Sequence, residues 1–446
     1  MKHVLTIAGH DLSSGAGITK DLEIFLALGL HPVSIPTSFV VQGPGGVSDL
    51  FPTPTKPFGR MLKTANNEMQ LDGIKVGVLG KTAHVKAVSS FLHGYLETPI
   101  VVDPVITSKN GFKLISNDGL DVMIRRILPL AYLITPNIDE ASTILKKPIR
   151  NVKEMERAAM LLSQLGPRHV LLKGGHLPGE PVDVLFDGKE VLVHKKGRVN
   201  REVHGTGCAL SSLMLCFIVL GYPLGEAFLE AENAMEELLK ESYKLNGSGY
   251  WYASLTRIAH KGNERWHVLR ALHDASIKLQ GLNVVALIPE VQMNVGYAIR
   301  EARGIEDVAA FPGRIGQSHG KVCFKGEPEF GASSHVARLI LACMKYYPQM
   351  RACVNLRYDD GLVERARQFG MAVIRADRRK EPEGVKGVGG QSLDFLVEKA
   401  LKGAKSPPDV IYDTGDLGKE PIIRLFARDP AELLKKMETM QSWKTN

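Results

Sequence analysis

Short apolar runs recur along the first half of the chain and alternate with amphipathic stretches. His3–Ala8, Val33–Val40, Ile74–Leu79, Ile100–Asp103, Tyr132–Thr135 and His169–Lys173 predict strands. Compact apolar runs bounded by turn residues suit strands covered on both faces. Between them, apolar residues at helical spacing predict helices over Ile18–Leu28, Thr82–His93 and Val152–Leu165. Val182–Phe186 and Val191–His194 predict a small β-rich insert. The rhythm is that of a mainly parallel sheet flanked by helices. Ligands in such folds bind beyond the carboxyl ends of the strands. The segments Gly9–Gly17, Gln42–Gly46 and Asp103–Gly111, polar and rich in glycine, fall there.

An almost wholly apolar helix is predicted over Leu210–Leu220, and a long one over Leu224–Leu245 closes this unit. Gly247-Ser248-Gly249 breaks the pattern, and residues 246–264 have the composition of a linker. Strands are then predicted at Asn283–Ile288, Ala352–Tyr358, Met371–Ala376, Val410–Asp413 and Ile422–Phe426. Helices are predicted at His335–Tyr346, Gly361–Phe369, Ser392–Leu401 and Pro430–Met440. The expected organisation is α/β throughout: a first domain over 1–245, a linker over 246–264, and a C-terminal three-layer α/β domain over 265–446.

The chain has 446 residues, 44% hydrophobic and 23% charged, enough for two domains. No apolar run approaches the ~18 residues of a membrane span. The apolar start at Met1–Gly9 is short and runs into His10-Asp11 without a cleavage pattern, so it is read as a first strand and the protein as cytoplasmic. The five cysteines include no CxxC pair, which argues against a disulfide framework or structural zinc. The net charge of +8 is spread along the chain. It suits a binder of phosphorylated small molecules, and no nucleic-acid-binding motif accompanies it.

The most informative stretch is His204-Gly205-Thr206-Gly207-Cys208-Ala209-Leu210-Ser211-Ser212. Two glycines at a helix start let successive N–H groups converge on one anion, and the helix dipole adds positive potential. Cys208 stands where a substrate hydroxyl would meet a phosphate held there. Such turns are also common as plain structural devices, so the companions decide. They are Thr6-Ile7-Ala8-Gly9-His10-Asp11, Gly15-Ala16-Gly17-Ile18, Asp21-Leu22, Lys75-Val76-Gly77-Val78-Leu79, Asp103-Pro104-Val105, Lys109-Asn110-Gly111, Thr135-Pro136-Asn137-Ile138-Asp139-Glu140-Ala141 and Lys173-Gly174-Gly175-His176. With them, Leu5 to about Tyr243 resembles the hydroxymethylpyrimidine/phosphomethylpyrimidine kinase family of the ribokinase-like fold.

The resemblance implies phosphoryl transfer from ATP, assisted by Mg²⁺, to an aminopyrimidine alcohol and then to its phosphate. Gly205, Gly207 and Cys208 take the catalytic positions. A helix N-terminus lowers a thiol pKa, so some Cys208 thiolate is expected at neutral pH. Lys173, Thr206, Asn137 and Lys109 are expected on ATP, with Lys173 as a point charge for phosphates. Asn137 and Glu140, three apart at a strand-to-helix turn, can hold Mg²⁺ directly or through water, with Asp103 sharing that role. Gly9, Asp21, Val40, Gln42, Val78 and Val105 match substrate-binding positions. Taken alone, Asp21 suits a first helical turn, Gln42 a loop, and Val40 and Val105 strand core. Lys20, Gly43 and Arg201-Glu202-Val203 depart from the family's usual residues.

From about Trp266 the chain resembles the thiamine-phosphate synthase domain often fused to this kinase in archaea. The anchors are Leu287-Ile288-Pro289-Glu290-Val291-Gln292, Asn294-Val295-Gly296-Tyr297-Ala298, Asp307–Arg314, Phe330–Arg338, Asn355-Leu356-Arg357-Tyr358, Asp377-Arg378-Arg379 and Asp409–Pro421. Gly331–His335 is a small-residue turn entering a helix, again suited to an anion. His335 and Arg338 lie one turn apart, and Arg314 follows a Pro-Gly turn. The resemblance implies catalytic roles for Arg314 and His335, substrate contacts for Asn294, Ser334 and Arg338, and a metal-binding loop with Asp413, Asp416 and Lys419. Arg300, Arg303, Arg357 and Arg378 are expected to add charge, and Asp377–Lys386 to form an exposed loop. The implied reaction joins the pyrimidine diphosphate to a thiazole phosphate and releases diphosphate. The alternative is a kinase whose second domain only senses thiamine phosphate. A homodimer without nucleic-acid or membrane partners is expected.

Overall fold

The computed structural model describes residues 1–43, 45–175, 177, 180–197, 199, 201–244, 249–377, 391–404, 406–416 and 419–441. The chain divides into two compact units, Met1–Ala259 and His260–Asn446.

The first unit is built on nine strands: β1 His3–Asp11, β2 His31–Gly43, β3 Gly46–Pro52, β4 Gly73–Val76, β5 Ile100–Val102, β6 Leu133–Ile134, β7 His169–Lys173, β8 Val182–Phe186 and β9 Val191–Lys195. Their order in the sheet is β3-β2-β1-β4-β5-β6-β7-β8-β9. The run from β2 through β1 to β7 is parallel, while β3, β8 and β9 add antiparallel edges. The two strands expected as a small β-rich insert are present and extend the main sheet.

The side-chain alternation of each strand divides the core in two. Leu5, Ile7, Ile74, Val76, Val102 and Leu172 meet the helices Thr55–Glu68, Thr82–Leu92, Asn117–Arg126 and Val152–Ser163 on one face. Val4, Val101, Leu133 and Leu171 meet Gly17–Ala27, Thr206–Leu220 and Leu224–Lys240 on the other. Thr206–Leu220 is buried nearly all round, as its apolar sequence requires. It lies so close to the sheet that a Cβ on Gly73 would come within 2.5 Å of Val219. The expected strand Ile74–Leu79 ends at Val76; Gly77 and Val78 pass into the cleft wall and Leu79 returns to the core.

The helix expected over Leu224–Leu245 ends at Lys240, and Tyr243–Lys244 pairs instead with Trp251–Tyr252 of the predicted linker, where a helix over Leu255–Gly281 also begins.

The second unit holds a seven-stranded sheet in the order Glu329–Phe330, Val308–Ala310, Val295–Ala298, Ala352–Arg357, Ile422–Ala427, Val410–Asp413, Val373–Arg375. Only its last pair is parallel. Leu255–Gly281, Asp360–Gln368 and Pro430–Gln441 cover one face through Val268, Leu272, Leu362 and Leu433. Ser334–Met344 and Gln391–Leu401 cover the other through Val336, Leu339, Leu396 and Val397. The result is three layers of α/β structure.

The strand expected at Asn283–Ile288 is instead a short 3₁₀ turn over Val285–Leu287. Its apolar residues follow a helix end at Gly281 and precede Pro289, so Val284 and Leu287 enter the core without joining a ladder. Val295–Ala298, Val308–Ala310, Ile315–Ser318, Lys321–Phe324 and Glu329–Phe330 are unanticipated strands; in the first, Gly296 admits the helix side chain of Val336.

Candidate active site

The carboxyl ends of β1, β4, β5 and β7, together with the start of Thr206–Leu220, surround a cavity of about 470 Å³. Every first-domain residue given a catalytic, binding or metal role from the sequence lines it: Gly9, Asp21, Val40, Gln42, Val78, Asp103, Val105, Lys109, Asn137, Glu140, Lys173, Gly205, Thr206, Gly207 and Cys208. They come from elements far apart in sequence, brought together because parallel strands end on the same side of the sheet.

The helix start is built for an anion. Gly205 is its N-cap in a left-handed conformation, φ +78°. A Cβ there would stand 1.8 Å from the Gly15 carbonyl oxygen, so only glycine fits. Among the described residues, the amides of Thr206, Gly207 and Cys208 meet no protein acceptor. These are orphan donors of a first helical turn, aimed along the dipole. The Lys173 ammonium stands 3.3 Å from where a Gly207 Cβ would be.

Lys173 Nζ donates to Asp103 Oδ1 at 2.8 Å. Burial opposes its charge, but Asp103 and Glu140 outweigh that and raise its pKa to about 12. Asn137 and Glu140 form a reciprocal cap on the helix Ile138–Leu145: Asn137 N donates to Glu140 Oε2 and Glu140 N to Asn137 Oδ1, both at 2.8 Å. The sequence spacing that suggested a metal pair is thus also a capping box. Burial and the nearby charges of Asp103 and Asp139 push the Glu140 carboxyl up to about 7, against the pull of Lys173. Asp103 and Glu140 offer hard oxygen donors to the same cavity. Mg²⁺ commonly takes one or two carboxylates and completes its shell with water and phosphate, so this pair suits it without a larger cage. No group of three or more such ligands occurs among the described residues.

Two expectations are corrected. The Cys208 thiol is not activated: burial raises its pKa to about 11, with Asp103 and Asp21 adding to the rise and Lys75 opposing it. The amide of Gly17 also donates toward its sulfur. Asp21 lines the cavity but is already engaged. Its carboxylate accepts from Thr6 Oγ1 at 2.6 Å and Ser212 Oγ at 2.8 Å, and it pairs with Lys75. Lys75 also donates to the Cys208 carbonyl at 2.9 Å and to Ser212 Oγ at 3.0 Å. This buried ion pair therefore anchors the anion-binding helix to β4 and to Gly17–Ala27.

Sequence reasoning passed over Lys75 and Ser212, and also the pair Asp11–His204, whose side chains meet at 2.8 Å. Each lies inside a quoted motif, but the pairings span 54 to 193 residues and leave no local signal. Lys109 sits at the rim, bound to Glu202 at 3.1 Å. At the far end of the cavity, Lys196 bridges Asp183 at 2.6 Å and Glu232 at 2.5 Å, beside Val199, Met235 and Leu239. Lys20 does not face the cavity; it binds Glu23 and the Ala253 carbonyl. Arg201 donates to the Leu239 and Lys240 carbonyls at 2.7 and 2.9 Å, and Gly43 ends β2.

In the second unit, Ser333 caps the helix Ser334–Met344, with Ser334, His335 and Arg338 on its first turns. The Gly331 amide is used by the Val308 carbonyl, so the turn offers fewer donors than expected. Arg314 is exposed at φ +64° and donates to the Val291 carbonyl. Asn294 is buried: its side chain exchanges two hydrogen bonds with Phe311, at 2.9 and 3.1 Å. That clasp occupies it structurally, in place of the expected substrate contact. Asp413 is fully buried, accepting from Arg424 Nη1 at 2.7 Å and Gly415 N at 2.9 Å. A carboxylate so held is no open metal ligand. Asp416 and Lys419 exchange two backbone hydrogen bonds, and residues 417 and 418 between them lie outside the described residues. Arg300, Arg303 and Arg357 are exposed; Arg378 and residues 378–386 of the predicted loop lie outside the described residues.

Comparison with known proteins is consistent with this geometry. Residues 11–251 match the phosphomethylpyrimidine kinase family model, and residues 271–439 match thiamine-phosphate synthase ThiN. The bifunctional thiamine biosynthesis protein ThiDN of Methanocaldococcus jannaschii is 31% identical over 98% of each chain. A hydroxymethylpyrimidine/phosphomethylpyrimidine kinase of Streptomyces coelicolor is 35% identical, covering 55% of this chain and 91% of that protein. An ADP complex of Bacillus subtilis pyridoxal kinase superposes with a TM-score of 0.53 at 28% identity, covering 58% of this chain and 99% of that one.

Proposed function

The chain belongs to the phosphomethylpyrimidine kinase family, in the fused form that carries a thiamine-phosphate synthase ThiN domain, and from this premise we propose the chemistry of each unit. The protein is a bifunctional enzyme of thiamine biosynthesis. Its first unit phosphorylates 4-amino-5-hydroxymethyl-2-methylpyrimidine and then the monophosphate, with ATP as donor. Its second unit couples the diphosphate to hydroxyethylthiazole phosphate, giving thiamine phosphate and diphosphate.

One observation carries the kinase reading: donor amides at residues 206–208, without protein acceptors among the described residues, share a cavity with Lys173, Asp103 and Glu140. Phosphoryl transfer demands alignment and charge neutralisation more than covalent chemistry. The amides would receive the oxygens of the moving phosphoryl group, and Lys173 would neutralise the donor phosphates. Asp103 and Glu140 would hold Mg²⁺, which when bound spreads charge over the nucleotide phosphates. Gly9, Val40, Val78 and Val105 would wall the pyrimidine. With its pKa near 11, Cys208 meets the substrate hydroxyl as a neutral thiol. Its role would be to hold the nucleophile in line, with proton release late in a loose transition state.

In the second unit, Arg314, His335, Ser334 and Arg338 would receive the leaving diphosphate, where negative charge builds. A homodimer is proposed through the free edge of the first sheet. There Phe39 and Phe51 form an exposed cross-strand pair on β2 and β3. Sedimentation should give twice the chain mass, and Phe51→Asp should shift it to the monomer.

Purified protein with the aminopyrimidine alcohol, thiazole phosphate, ATP and Mg²⁺ should yield thiamine phosphate by mass spectrometry. Diphosphorylated pyrimidine without coupled product would make the second unit a sensor. No phosphorylated pyrimidine would refute the kinase assignment.

A further inference from the structure

The side chains of Asp11 at the end of β1, Gln42 near the end of β2 and His204 just before the anion-binding turn meet in the cavity wall. His204 Nε2 lies 2.8 Å from Asp11 Oδ2 and 3.2 Å from the Gln42 amide. One imidazole nitrogen therefore faces two partners, and its proton decides what each can be.

Asp11 is an acceptor. Its carboxylate already receives Ser13 N at 2.9 Å, Ser13 Oγ at 2.9 Å and Ala16 N at 3.0 Å. Burial works against its charge, but the hydrogen bonds from His204 and Ser13 hold its pKa below the ordinary value. An ionised carboxylate offers no proton, so Nε2 must carry one. With Gln42 Nε2 at 3.2 Å from that nitrogen, donor would face donor. Half a turn of the carboxamide exchanges two ends of nearly equal shape and brings its carbonyl oxygen to the imidazole.

The imidazole has little freedom to escape this arrangement. It stacks on Tyr250 with ring centroids 5.6 Å apart and meets Tyr252 edge-on at 6.1 Å. Its backbone donates to the Trp251 carbonyl at 2.8 Å. On the other side it presses on Gly15, where a Cβ would fall 2.1 Å from His204 Cδ2.

We propose that the Asp11–His204 pair fixes the orientation of the Gln42 carboxamide, presenting its NH₂ to the cavity, so that the site selects a ring bearing a hydrogen-bond acceptor at that point. Asp11 and His204 are positioning residues; Gln42 is the reader. This inference rests on the kinase reading above. A site built to donate a hydrogen bond penalises a ring that puts C–H there, because the donor is then left buried and unpaired.

The test compares the aminopyrimidine alcohol with its two pyridine analogues, each keeping one ring nitrogen and replacing the other with C–H. Steady-state kinetics are measured for the full chain and for Asp11→Asn, His204→Phe and Gln42→Glu. In the unaltered enzyme one analogue should lose roughly tenfold or more in kcat/KM against its isomer, chiefly through KM. Asp11→Asn removes the charge that pins the ring proton to Nε2 and so frees Gln42 to take either orientation; His204→Phe keeps the stack and removes the proton. Both should bring the ratio between analogues close to one while KM for ATP stays put. Gln42→Glu, which needs no change in the pair, should abolish the same preference. Equal use of both analogues by the unaltered enzyme overturns the inference, as does a ratio preserved in Asp11→Asn and His204→Phe. Absence of any turnover of the parent alcohol would instead overturn the kinase reading, and this inference with it.

Discussion

Single residues in the cleft answer to its shape and charge. Gly205 combines φ +78° with a carbonyl oxygen 1.8 Å from any added Cβ. Gly205→Ala should therefore displace the amide turn and lower kcat/KM by about 100-fold or more, the scale of losing an oxyanion donor. Kinetics beside a melting curve will separate that loss from unfolding. Glu140 gives a pH prediction. Its folded pKa of about 7 lies above its ordinary 4.5, so the folded protein binds that proton more tightly than the unfolded chain. Without metal, stability should fall as pH rises from about 4.5 to about 7 and level off above. A cation competes with the same proton, so the thermal shift produced by Mg²⁺ should grow across that interval. Glu140→Gln should flatten both curves, and a Mg²⁺ shift with no pH dependence in the unaltered protein would remove Glu140 from the metal site. The Gly-Thr-Gly-Cys turn was legible because its glycines and helix start are local. The thiol's raised pKa was not, since it comes from burial and from Asp103, 105 residues away, with Lys75 only partly opposing it.

Elements are held in register by a few buried polar contacts that no periodicity displays. Lys75 on β4, Asp21 on Gly17–Ala27 and Ser212 on Thr206–Leu220 form one such knot, fully enclosed. Removing one member of a buried pair strands the other's charge, at a cost of about 3–5 kcal/mol. Lys75→Met should approach that loss in denaturant unfolding, and adding Asp21→Asn should recover part of it. If the double variant is no more stable than the single one, the pair is not what fastens this helix. The long apolar signals fared well: the run Leu210–Leu220 lies within the helix Thr206–Leu220, and each parallel strand overlaps a predicted run. Val285–Leu287 shows the limit, because an apolar run ending at a proline can fill a core without joining a sheet. The strand Val295–Ala298 escaped notice because four residues with a central glycine carry almost no pattern.

For the whole molecule, the two units keep separate cores, and the residues assigned to each reaction lie within one unit or the other. The motifs made both activities legible, but they did not reveal which motif residues are scaffolding. Asn294 and Asp413 belong to the synthase signature, yet both are consumed by internal bonds, to Phe311 and to Arg424. The proposed second reaction therefore rests on Arg314, His335, Ser334 and Arg338. Cys208→Ala should abolish or sharply reduce pyrimidine phosphorylation while leaving coupling intact when the pyrimidine diphosphate is supplied directly. His335→Ala should do the reverse, letting the diphosphate accumulate from ATP and the alcohol with little thiamine phosphate. Each variant is thereby the other's folding control. Mixing the two variants should restore synthesis from the alcohol if the diphosphate passes through solution. Failure of the mixture, with each half-reaction intact, would mean that the intermediate is handed on within one molecule.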